Sequence, residues 1–144
     1  MALPLTPVER TCTLLLSDLF LDGDPTYHYD HVARQLDELP TLISEIENFL
    51  WGEVYPVLIW NLLDTTGQWG MFFEDQVCDP INARRLANPV YRILIYIGDR
   101  TLWVLLSFFI RSSWKEVQSR LVERRASPDS HGDVPGPELS IKHD

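Results

Sequence analysis

The sequence predicts an all-α fold: a compact single-domain bundle of five to seven helices over residues 1–125, followed by a disordered acidic tail over 126–144. Three observations predict it. Helix-start signals recur along the chain, as in Thr6-Pro7-Val8-Glu9 and Asn88-Pro89, where a capping side chain precedes a proline with its backbone angle already set for a helix. Apolar residues return at three- and four-residue spacing. Neither of the β-prone runs, residues 91–97 and 101–109, alternates polar with apolar residues as a half-buried strand would.

The first helix starts at Pro7, with Thr6 as cap and Glu9 at the capping-box position, and carries Leu14, Leu15 and Leu19 to its end near Leu21. Asp22-Gly23-Asp24-Pro25 supplies the turn. Asp24 or Thr26 then caps a second helix from Tyr27 to about Glu38, with Tyr29, Val32, Ala33 and Leu36 on one face and Pro40 ending it. Thr41 caps a third helix from Leu42 to Trp51, whose stripe is Leu42, Ile43, Ile46, Phe49 and Leu50, and Gly52 marks its end. The stretch Val54 to Leu63 is apolar on nearly every side, as a central helix must be, and Pro56 confines its start to Tyr55.

A short helix over Met71 to Val77 is expected to stop at Asp79-Pro80, with a further turn through Arg84, Arg85 and Leu86. Asn88-Pro89 opens Val90 to Ile97. Gly98 is expected to close that helix, and Asp99 to cap a last one from Arg100 to about Arg125, giving a helical hairpin. The competing reading is a β-hairpin around Gly98-Asp99, since residues 91–97 and 101–109 are rich in β-prone side chains.

The chain has 144 residues and 45% hydrophobic side chains, enough for one core and too many for wholesale disorder. Its net charge is −9. Residues 1–80 carry 2 basic against 14 acidic side chains, residues 81–125 carry 9 against 3, and residues 126–144 carry 1 against 4. The acidic half and the basic segment should attract. Two readings follow: the basic segment packs on the acidic half inside the fold, or the acidic half stays exposed and docks a cationic protein. Nucleic acid is disfavoured as a partner by the overall charge.

Cys12 and Cys78 are too few for a disulfide framework and lack metal-ligand spacing, which fits a reducing cytoplasm. The N-terminus lacks the cationic and apolar regions of a secretory signal. Val90 to Ile110 has the length of a membrane span, but Arg92, Asp99 and Arg100 interrupt it, so no membrane partner is expected.

Catalytic patterns are sparse. His28 and His31 share a helix face and could ligate a metal, yet a calcium loop counted from Asp22 puts Tyr27 and Ala33 where Gly and Glu are required. HExxH, GxSxG and glycine-rich phosphate loops do not occur. Cys78 lies between Asp75 and Asp79, which raise rather than lower a thiol pKa. The expectation is a protein that is not an enzyme, with no cofactor and no metal.

The runs around Leu16, Ser17, Leu19 to Asp22, Ala33, Arg34 and Leu36, and then Glu53, Val54, Pro56 to Leu58, Asn61 to Leu63, Gly67 and Trp69, carry a resemblance over residues 7–75. The chain resembles a family of small uncharacterised bacterial proteins. The resemblance implies a bacterial cytoplasmic protein, similar in its small acidic build to immunity proteins that neutralise toxins delivered between bacteria. The functional expectation is accordingly an immunity-type inhibitor that occludes a basic toxin. Its docking surface would comprise Asp22, Asp24, Asp30, Asp37, Glu38, Glu45 and Glu47, with Trp51 and Trp69 as anchors. The alternatives are a homodimeric structural or adaptor protein pairing through Leu102 to Phe109, and a small hydrolase using His28 or His31.

Overall fold

Thr6 caps α1 (Pro7–Ser17) reciprocally: its Oγ1 accepts the Glu9 N–H at 3.2 Å, while Glu9 Oε2 accepts the Thr6 N–H at 2.7 Å. The computed structural model describes residues 3–21, 25–63 and 72–127, without the side chains of 25–27, 60–63, 99, 102, 105, 106 and 109. Six α-helices and no strand occur among the described residues. A 3₁₀ turn, Asp18–Phe20, extends α1. Next come α2 (Pro25–Asp37), α3 (Ile43–Phe49), α4 (Tyr55–Leu63), α5 (Glu74–Leu86) and α6 (Pro89–Ala126). Ala126 is still helical and Ser127 caps its end, and residues 128–144 of the expected tail lie outside the described residues.

One apolar core joins these helices. It takes Cys12 and Leu16 from α1, Val32, Ala33 and Leu36 from α2, Ile46 from α3, and Leu58 and Ile59 from α4. Val77, Cys78 and Ile81 come from α5, and Ile110, Trp114, Val117 and Leu121 from α6. The most extensive pairing is between α2 and α6. There the Tyr29 hydroxyl and Ser113 Oγ lie 2.9 Å apart, and Arg125 donates to the carbonyls of Leu36, in the last turn of α2, and of Thr41, beyond its end.

Four expected boundaries are corrected. Neither a helical nor a β-hairpin forms at Gly98-Asp99, because α6 runs unbroken from its Asn88 cap to Ala126. No glycine among the described residues takes a positive φ, so Gly98 does not terminate a helix. A glycine inside a helix costs only about 1 kcal/mol, too little to interrupt a propagating helix with no proline beyond its first turn. Pro80 does not stop α5 either. Its ring faces solvent and removes one hydrogen bond, and the burial of Val77, Cys78 and Ile81 on both sides of it outweighs that loss.

Gly52 is not a helix end. It lies in a π-helical segment, Leu50–Val54, that carries α3 directly into α4. Finally, Leu42 rather than Thr41 caps α3; Glu45 Oε2 takes the Leu42 N–H at 2.9 Å, the half of a capping box that needs no hydroxyl.

Candidate docking surface

The acidic residues expected to face a partner are largely engaged within the chain. Asp30 receives the Arg124 guanidinium at 3.0 Å and lies 3.8 Å from Arg120. The Arg124 hydrogen bond holds its carboxyl below the usual aspartate range, against a small opposing effect of burial. Asp37 pairs with Arg125 at 3.4 Å. Glu45 caps α3, and Glu47 accepts from the Gln118 amide at 3.5 Å. Glu38 is exposed. Asp22, Asp24 and Trp69 lie outside the described residues. The basic segment of the sequence thus packs on the acidic half, with Arg85, Arg120, Arg124 and Arg125 all paired to carboxylates.

Trp51 sits in a different setting from the acidic cluster. The π segment widens the helix where Trp51 and Gly52 leave it, and turns Trp51 toward α6. Its ring lies 5.3 Å from that of Tyr55 and meets Trp103 edge-on at 6.2 Å and 79°. These rings, with Asn48, Gly52, Pro56, Tyr96 and Arg100, line a groove of about 390 Å³ between the π segment and α6. Arg100 Nη1 donates to the Tyr96 hydroxyl at 3.4 Å, and Arg111 stacks 5.1 Å over the far side of Trp103. Burial pushes the Tyr55 phenol up to about 12, so this wall of the groove stays neutral.

Beside the groove, the first half of α6 runs along α5 and the π segment with much of its surface exposed. Val90, Tyr91, Ile93, Leu94, Tyr96, Ile97 and Val104 are each about 60% exposed or more. Among the described side chains of this stretch, Ile95, half-buried, and Trp103, against Trp51, turn inward. An apolar surface of this extent on one helix is unusual for a solvated face and makes this stretch the candidate docking surface. Of the segment Leu102 to Phe109 expected to pair, Val104 and Phe108 are exposed and Ser107 is buried, while the side chains of Leu102, Leu105, Leu106 and Phe109 are outside the described residues.

The titratable groups offer no comparable assembly. Asp18 lies near His28 and His31, and burial raises its carboxyl pKa against their pull. No group of three potential ligands is placed to hold a metal ion among the described residues. The Cys12 thiol is pushed up to about 12 by burial and by Glu9. Burial, then Glu74 and Asp79, raises the Cys78 thiol against the pull of Arg10. Both therefore stay protonated and unreactive near neutrality.

The model of a domain of unknown function, DUF7079, matches residues 8–120. The chain belongs to the DUF7079 family. No curated protein and no solved structure matches it. The DUF7079 span takes in Trp51, Tyr55, Tyr96 and Trp103 and the whole exposed stretch of α6. It is wider than the resemblance over residues 7–75 implied, because it includes most of the basic segment. No helix of this DUF7079 chain is long and apolar enough to cross a membrane among the described residues.

Reading the sequence for a site missed Tyr55, Tyr96, Arg100 and Trp103. The signal was present: residues 96, 100 and 103 share one helical face, and so do 51 and 55. Ending helices at Gly52 and Gly98 separated them.

Proposed function

We propose that this protein is a non-enzymatic binding module that docks a protein partner on the exposed first half of α6 and the adjoining aromatic groove. The observation that carries this reading is the run of large apolar side chains exposed from Val90 to Val104 beside a groove rimmed by Trp51, Tyr96 and Trp103. Aromatic and aliphatic anchors around a pocket, with an arginine at the rim, are the composition of an interface centre.

An immunity-type inhibitor in a bacterial cytoplasm is one form such a module can take. The engagement of Asp30, Asp37 and Glu47 with the chain's own α6 favours contact through α6 over contact through the acidic half. A photo-crosslinking side chain at position 94, compared with one at Glu38, tests the choice in cells. Crosslinks from position 94 are expected. Crosslinks to a basic protein from position 38 alone would return the acidic surface to the lead.

A further inference from the structure

The cations of α6 fall into two groups. Arg120, Arg124 and Arg125, near its end, are held by Glu116, Asp30 and Asp37. Arg92, Arg100, Arg111 and Lys115 are exposed, and none has a carboxylate partner among the described residues. From Pro89 to Lys115 the sequence sets these four cations against one acid, Asp99, whose side chain lies outside the described residues. Arg92, Tyr96, Arg100, Trp103, Ser107 and Arg111 follow one another at four, four, three, four and four residues, which keeps them within about 100° of each other around the helix. Three of the four cations therefore share a face with the rings of the groove. Gly52 and Tyr96 line both that groove and a second hollow of about 250 Å³ that reaches Arg92 and Ile95, so the two adjoin as one trough between α6 and the π segment.

We infer that this trough takes an acidic segment of a partner polypeptide, with large apolar side chains in the two hollows and carboxylates on Arg92, Arg100 and Arg111. The inference rests on the reading of α6 as a docking surface and names the chemistry of what docks there.

Charge complementarity points to this occupant. A chain of net charge −9 supplies carboxylates to the end of α6 and, among the described residues, none to positions 92–115. Acids brought by a partner complete the pairs that the fold leaves open. The guanidinium groups are also held ready for them. Arg111 lies 5.1 Å over the Trp103 ring, and the Tyr96 hydroxyl accepts one N–H of Arg100 at 3.4 Å, which steadies both side chains and leaves most of their donors for a carboxylate. The lining between them is largely apolar, with Trp51, Tyr55, Pro56 and Trp103, and takes apolar side chains rather than further charge. A single-stranded nucleic acid, which also combines negative charge with stacking groups, fits less well. Arg92 and Arg100 lie about 12 Å apart along α6 and Arg100 and Arg111 about 16 Å, several times the spacing of phosphates along a strand.

The test is a selection of random short peptides, displayed on phage, against the full chain and against the triple variant Arg92→Gln, Arg100→Gln, Arg111→Gln. All three side chains are exposed, so the variant should keep the helical content and melting of the unaltered chain. Peptides enriched on the unaltered chain should carry Asp and Glu around Leu, Phe or Trp. Their affinity, read by fluorescence anisotropy, should fall roughly tenfold for each arginine replaced and weaken as salt rises. Arg100→Glu combined with Arg111→Glu should invert the preference and enrich basic peptides, an outcome that loss of folding does not imitate.

Neutral or basic peptides enriched on the unaltered chain, no enrichment at all, or acidic peptides that bind the glutamine variant equally well would each overturn the inference. So would oligothymidylate binding more tightly than the enriched peptides, which would turn the trough into a nucleic-acid site. The photo-crosslink from position 94 separates the two readings. A crosslink there to a protein segment without acids overturns only the acidic occupant, whereas no crosslink from that position overturns the docking surface as well.

Discussion

Arg85 grips both carboxylate oxygens of Glu53, with Nε 2.6 Å from Oε2 and Nη2 2.7 Å from Oε1. The same guanidinium reaches Glu9 at 2.8 and 3.3 Å and the Leu3 carbonyl at 3.4 Å. One side chain of α5 thus fastens the start of α1 and the π segment, where the planar fork of arginine matches two carboxylates as lysine could not.

Replacing Arg85 with alanine leaves two acids facing each other. The Arg85 side chain is 18% exposed and each glutamate 32%, so screening is incomplete and the loss should exceed that of a surface pair. The expected destabilisation is about 2 kcal/mol, read from urea denaturation. Arg85→Lys should recover less than half of it.

Acid should loosen the same clasp. Arg85 chiefly, opposed by burial, holds the Glu9 carboxyl at about 2 instead of its ordinary 4.5. A carboxyl depressed on folding contributes stability that is whole above the unfolded value and is lost as pH falls through the folded one. Stability should therefore decline between about pH 4.5 and pH 2. Glu9→Gln should lower stability at pH 6 and make the decline shallower; an unchanged slope would refute the clasp. Asp30, depressed in the same direction by Arg124, keeps some of the decline in that variant.

The buried thiols should resist alkylation. Cys12 and Cys78 lie in the core with raised pKa, so a maleimide should label neither in the folded chain at pH 7 and both in guanidinium. Fast labelling of either would show that α1 and α5 separate readily.

Trp114 is buried, yet its indole Nε1 has no hydrogen-bond partner among the described residues. Trp114→Phe gives up packing volume but also removes an unsatisfied donor, and the two effects oppose each other. The expected change is within about 1 kcal/mol, whereas Leu121→Ala in the same core should cost about 3 kcal/mol by thermal or chemical unfolding.

Local signals with their own hydrogen-bond chemistry were legible in the sequence. Thr6, Glu9 and Asn88 cap where their side chains predict, and the attraction between the acidic half and the basic segment becomes the pairs of Asp30, Asp37 and Glu53. What misled were the breakers. Gly52, Pro80 and Gly98 each carry a local cost of about 1 to 3 kcal/mol, and long-range burial or helix propagation overrides it in a way no short window displays. The aromatic groove was half visible. Trp51 was named as an anchor and sits half-buried at the groove, but its neighbours Tyr96 and Trp103 come from a helix that had been divided in two.

The π segment sets a phase. From Ile43 to Leu63 the chain is one continuous helical rod, and Leu50–Val54 winds it more loosely than the turns on either side. Each residue added to or taken from a helix rotates everything beyond it by about 100°. The rod therefore works like a vernier: Ile46 and Leu58 both point to the core only because the wide turn absorbs the difference between them. Deleting Gly52 would let a regular α-helix form with Ile46 and Leu58, then eleven residues apart, still on one face, whereas adding a residue would swing Tyr55, Leu58 and Ile59 by about 100° out of register with the core. In this rod the length of the segment carries more information than the identity of any residue in it.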